Sequence, residues 1–220
     1  PLAAGSGGNP SAVGKLAGLI TLRDGVAATM QSQLDETARG LITAFAETSS
    51  SQPDAAGLFT WSGAPGIPAA GTLVDGLAGS ISVNAAMTPA LLRDGGANGA
   101  AYVLNTSGSS YANLLIAYGD RLDQPMAFDA AAGITATSSV ADYAANSIGW
   151  FEGVRQQAST TADAKEALAT RTAEALSNDT GVNVDQEMSL LLDLEHTYQA
   201  SARMMKTVDD MLDALMNAVG

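Results

Sequence analysis

Asn183–Val219 reads NVDQEMSLLLDLEHTYQASARMMKTVDDMLDALMNAV, and its apolar spacing decides the fold class. Leu191, Leu194, Tyr198, Ser201, Met205, Val208, Leu212, Leu215 and Val219 recur at alternating steps of three and four, and all but Ser201 are apolar. Such steps return to one side of an α-helix, so the stretch predicts a single long helix with a continuous apolar seam. At about 1.5 Å per residue it is roughly 50 Å long, which suits a coiled coil or a long core helix. Local chemistry marks its start. Asn183 is a good N-cap, Gln186 follows three residues later as in a capping box, and Asp185 and Glu187 bring negative charge to the first turn, where the helix dipole favours it. Thr180-Gly181 makes a break just upstream, and no Gly or Pro follows until Gly220. The polar side is acidic, with seven Asp/Glu against Arg203 and Lys206. A seam this rich needs a partner, in its own chain or in another.

Upstream, Tyr143, Ile148, Phe151, Val154, Ala158, Leu168, Thr172 and Leu176 predict a second long helix from Val140 to about Ser177-Asn178-Asp179. Near the other end, Leu16, Leu19 and Ile20 open a helical pattern that Val26, Met30, Leu34, Ala38, Leu41 and Phe45 continue. Gly25 bends or breaks that run, at about 1 kcal/mol relative to Ala. Ser49-Ser50-Ser51 and Pro53 end it. Between these helices, residues 49–140 hold five of the seven prolines and twelve glycines. Short apolar runs sit there between turn signals, at Leu58–Trp61, Thr72–Val74, Ser80–Val83 and Ala101–Leu104. Ser80–Val83 alternates with the period of a half-buried strand, and Tyr111–Leu122 fits a short helix.

The expected fold is therefore α+β and mainly helical. Long helices from both ends of the chain (15–48 and 140–220) pack as a rod or coiled-coil-like bundle, and 49–139 forms a small β-rich insertion. Residues 1–14, mostly Gly, Ser, Pro and Ala, read as a linker or frayed end. A chain opening at Pro1 is expected to be a fragment or a processed product.

Composition narrows the function. Net charge is −13, so nothing supplies the cationic patch that phosphates require, and nucleic-acid binding is not expected. No apolar run approaches 20 residues, so no membrane insertion is expected either. With no Cys and one His in the sequence, disulfides, thiol chemistry and multi-histidine metal sites are excluded. Aromatic residues make up 5% and charged residues 15% of a chain rich in Ala, Gly, Ser and Thr, which suits a close-packed helical rod better than an enzyme with a deep pocket.

The sequence also resembles a known family. Gly181-Val182-Asn183-Val184-Asp185-Gln186-Glu187, then Tyr198-Gln199-Ala200-Ser201-Ala202-Arg203, then Val208-Asp209-Asp210-Met211-Leu212-Asp213, is similar to the C-terminal signature of the FlgK family of flagellar hook-associated proteins. Gly14-Lys15-Leu16-Ala17-Gly18-Leu19, Leu22-Arg23-Asp24 and Gln33-Leu34-Asp35-Glu36 resemble the helical segment that family places before its outer domain. Ile81-Ser82-Val83-Asn84 resembles a strand common to flagellar rod, hook and junction proteins. The family's first N-terminal helical segment, which pairs with its C-terminal helix, has no counterpart here. Glu195-His196 stands where many members have Gln-Gln.

The resemblance implies a non-enzymatic structural subunit at the hook–filament junction, extracellular after passage through the flagellar export apparatus. Its implied partners are copies of itself, the hook protein, other junction proteins and an export chaperone on the C-terminal helix. The seam residues Leu191 to Val219 would form the assembly and chaperone interface. Alternatives are a flagellin, a hook or rod subunit, or a flagellum-associated cell-wall hydrolase.

Candidate chemistry is sparse. His196 beside Glu195 has no visible nucleophile or pocket. Asp209, Asp210 and Asp213 lack the alternating ligands and Gly of a calcium loop. Asp94-Gly95-Gly96-Ala97-Asn98-Gly99 is not followed by the Lys-Ser/Thr of a phosphate loop and reads as a turn. A hydrolase would need its acids in 49–140, which offers Asp54, Asp75, Asp94, Asp120, Asp123 and Asp129 but neither Glu nor His. No cofactor is expected. Met204, Met205, Met211 and Met216 offer adaptable apolar contacts for successive partners.

Overall fold

The computed structural model describes residues 14–108, 112–181 and 183–219, so all but Gly14 of the linker expected at 1–14, together with Tyr111 and Val182, lies outside the described residues. In chain order the elements are α1 (Lys15–Thr21), a π-helical turn (Leu22–Val26), α2 (Ala27–Ala44), β1 (Phe59–Thr60), α3 (Leu77–Ser80), β2 (Ser82–Val83) and α4 (Pro89–Asp94). They continue with α5 (Asn113–Asp123), β3 (Met126–Ala127), β4 (Thr137–Ser138), α6 (Val140–Thr180) and α7 (Val184–Val219). The architecture is mainly helical α+β. Strand β1 pairs antiparallel with β2, Phe59 opposite Val83, and β3 with β4, Met126 opposite Ser138. The chain forms two compact units, Pro1–Ala158 and Ser159–Gly220.

Helix α2 organises the first unit. One cluster joins Ala38 and Ile42 to Ala56 and Leu77, with Phe59, Trp61, Ile67, Val74 and Ile81 packed against it. A second joins Phe128, Ala132, Val140 and Tyr143, with Leu41, Leu122, Met126 and Ile134 against it. Phe128 stacks on Tyr143 at 4.0 Å between ring centres. A Cβ on Gly40 would stand 3.0 Å from Val140 Cγ2, so the missing side chain is what lets the start of α6 close on α2.

The buried side of α2 is also polar, which the apolar spacing did not predict. Gln33, Asp35, Glu36 and Arg39 are each at most 1% exposed, while Leu34, expected on the inward stripe, is 45% exposed. Each buried group is satisfied, as low-dielectric surroundings demand. Arg39 makes a two-point ion pair with Glu36, both contacts at 2.9 Å, and also donates to the Ala127 carbonyl. Glu36 further accepts from the Asp129 amide at 2.8 Å. Asp35 accepts from the Gly76 and Ala78 amides at 2.9 and 2.7 Å. Gln33 donates to the Ala132 carbonyl at 3.1 Å and accepts from the Ser147 hydroxyl at 2.7 Å. The region after α2 is thus threaded onto its side chains.

Helix α2 stops at Ala44, short of the expected Ser49–Ser51 signal. Glu47 instead turns into a bridge with Ala55, amide to carbonyl at 2.8 and 3.0 Å. Its carboxylate collects the Ala97 and Asn98 amides at 2.8 Å each and the Asn98 carboxamide at 2.9 Å. The Asp94–Gly99 turn is therefore a clasp on Glu47. Thr72–Val74, expected as an apolar run of strand type, forms no strand.

Helix α6 starts from a Ser139 cap. Its hydroxyl accepts from the Asp142 amide at 3.1 Å and donates to the Asp142 carboxylate at 2.8 Å. The inward residues are Val140, Tyr143 and Ser147; Ile148 and Phe151, expected to continue the stripe, are exposed. Among the described residues no helix is long and apolar enough to cross a membrane.

Candidate assembly surface

Helix α7 begins where its local chemistry placed it. The Asn183 side-chain oxygen accepts from the Asp185 and Gln186 amides at 3.1 and 3.2 Å, satisfying two of the orphan donors at the helix start. Upstream, α6 ends at Thr180, with the Gly181 amide on the Ser177 carbonyl at 2.7 Å.

The seam lies on this helix and is open to solvent. Leu191, Leu194, Tyr198, Met205, Val208, Leu212 and Leu215 are all exposed, from 46% at Val208 to 76% at Tyr198. Ser201 is exposed too, and its hydroxyl folds back onto the Thr197 carbonyl at 2.8 Å, so the one polar group of the seam is satisfied within its own helix. The Val219 side chain lies outside the described residues. Fully burying one Leu, Val or Met contributes about 1.5–3 kcal/mol, so seven exposed apolar side chains on one helix are a large reserve of association energy. A repeat of three and four averages 3.5 residues, so the seam drifts by about 20° per heptad on a straight α-helix. A straight partner meets only part of it, whereas a supercoiling partner meets all of it.

The apolar surface is wider than the seam. Met188, Leu190, Leu192, Met204, Met211 and Met216 are also exposed on α7. Met204, Met211 and Met216 were legible as adaptable contacts; Met188 carried no such signal. Leu190 and Leu192 stand off the three-and-four seam, and the run Leu190-Leu191-Leu192 makes the helix apolar on more than one side at that point.

The other candidates are mostly surface residues. His196 and the Asp209, Asp210 and Asp213 cluster are exposed on α7. Among the described residues no group of three His, Asp or Glu side chains could hold a metal ion. Two of the six aspartates in 49–140 serve the fold. Asp94 is held down to about 2 by its hydrogen bonds from Arg93 and then Asn105. Asp129 is held below the usual carboxylate range by the Ala131 and Leu73 amides it accepts from. Asp54, Asp75, Asp120 and Asp123 are exposed.

Residues 176–218, the end of α6 and nearly all of α7, match the family described as flagellar basal body rod FlgEFG protein C-terminal. The match supports a flagellar structural protein of rod or hook type and a flagellar location. No curated protein and no solved structure matches the chain.

Proposed function

We propose that this chain, with its C-terminal helix of flagellar rod and hook type, is a structural subunit of the hook–filament junction that assembles through α7. The observation that carries the reading is the seam from Leu191 to Leu215, apolar at every described position but Ser201 and exposed throughout. A water-facing surface of this size is a contact awaiting a partner. The Tyr198–Arg203 and Val208–Asp213 segments favour a junction protein within the flagellar class. In this reading the helices at 15–48 and 140–220 join the tubular core of the assembly, and 49–139 faces outward. Copies of the chain, the hook protein and other junction proteins cover the seam after export; an export chaperone covers it before.

A rod or hook subunit is the second reading, favoured by the family match over 176–218. Deleting the gene in its own host and imaging the cells separates the two. A junction subunit leaves complete hooks without filaments. Loss of the hook itself supports the rod or hook reading and overturns the junction. Normal flagella overturn both.

A further inference from the structure

We infer that the π-helical turn Leu22–Val26 is a register switch, about which α1 can rotate relative to α2. The turn sits inside a helical run from Lys15 to Ala44. Its closing bond runs from the Ala27 amide to the Leu22 carbonyl, one residue wider than an α-turn. A π-turn accommodates one more residue than an α-turn, so the same sequence in plain α geometry turns the upstream segment by about 100° and shifts it by about 1.5 Å.

The surroundings leave both registers open. No residue of α1 or of the π-turn is buried, whereas Gln33, Asp35, Glu36 and Arg39 lock the following part of α2 in place. A Cβ on Gly25 would meet nothing within 4 Å, so packing does not demand Gly there. What Gly supplies is weak α-propensity at the one point where the helix departs from α geometry. The Arg23–Asp24 ion pair inside the turn is exposed, and such pairs add little. Leu16, Leu19 and Leu22, all more than half exposed, ride on or beside the segment that turns. The switch therefore sets the direction in which this apolar ridge points, with the rest of the unit unmoved.

The absence of Cys allows two nitroxide labels to be placed cleanly in the full chain, at Gly18→Cys on α1 and Leu34→Cys on α2. Pulsed electron resonance then reads the distance between them. Two distance populations are expected. Gly25→Ala should move population toward the α register, because Ala favours α geometry. Deleting Gly25 removes the extra residue and should leave one population, at the distance of the π register. A single population in the parent chain that Gly25→Ala does not move, at either distance, overturns the proposal. Circular dichroism on each variant confirms that helix content is retained.

Discussion

Glu36 and Arg39 face each other one turn apart on α2, ion-paired at 2.9 Å with side chains 0% and 1% exposed. Arg39 also lies over the Phe128 ring, 5.3 Å from its centre. A buried pair of this kind is expensive to break and cheap to replace as a whole. Glu36→Ala leaves a buried guanidinium without its counter-charge and frees the Asp129 amide. It should destabilise the first unit by about 3–5 kcal/mol. The double variant Glu36→Leu with Arg39→Met should recover most of that loss. Urea unfolding followed by tryptophan fluorescence reads both, since Trp61 packs against the α2 cluster. Equal losses in the single and double variants would contradict this account of the pair.

Ser147→Ala tests the link between α2 and α6. It removes the donor to Gln33 and leaves a buried carbonyl oxygen unpaired, at about 1–3 kcal/mol. The same urea titration should show a lower midpoint with an unchanged slope. An unchanged midpoint would mean that the contact contributes nothing.

Tyr143 predicts a loss of stability at high pH. Burial first, and the nearby Glu36 charge second, push its phenol up to about 12 against an ordinary value of 10, with Arg39 partly offsetting them. Folding therefore favours the protonated phenol. That contribution is fully present below pH 10 and is lost as pH rises through about 12. Its size is on the order of 2 kcal/mol. Thermal unfolding between pH 9 and 12 should show the decline, and Tyr143→Phe should flatten it. The Tyr143 hydroxyl has no hydrogen-bond partner among the described residues, so removing it breaks no bond at neutral pH.

Leu194→Asp and Leu212→Asp separate folding from assembly. Both positions are exposed, so monomer stability should change by less than about 0.5 kcal/mol. Assembly should fail, because a carboxylate buried without a partner is costly. Sedimentation of the purified chain over a concentration series, with electron microscopy of complemented cells, reads the two effects. Normal assembly by both variants would remove the seam from the interface.

Asn183→Ala should fray the start of α7. The cap serves the Asp185 and Gln186 amides, and its loss costs about 1 kcal/mol of helix stability. Hydrogen exchange over 184–190 should speed up roughly fivefold, with 205–215 unaffected.

The sequence by itself determined the long helices and, for α6 and α7, where they meet. Apolar spacing and capping act within a few residues, so α7 starts after Asn183 and α6 ends at Thr180, close to where local chemistry put them. The α5 helix was legible for the same reason, whereas of the half-buried strand expected at Ser80–Val83 only Ser82–Val83 pairs, with both residues exposed, and Ser80 closes α3. Only the tertiary structure decided what α2 buries. Gln33, Asp35, Glu36 and Glu47 lie off the apolar stripe, and the partners that bury them are far along the chain, at Ala132, Gly76, Asp129 and Asn98. A carboxylate goes inside when folding brings it amide donors, and no spacing along α2 records that those donors will arrive. Leu34, expected on the inward stripe, stands 45% exposed beside these buried polar residues.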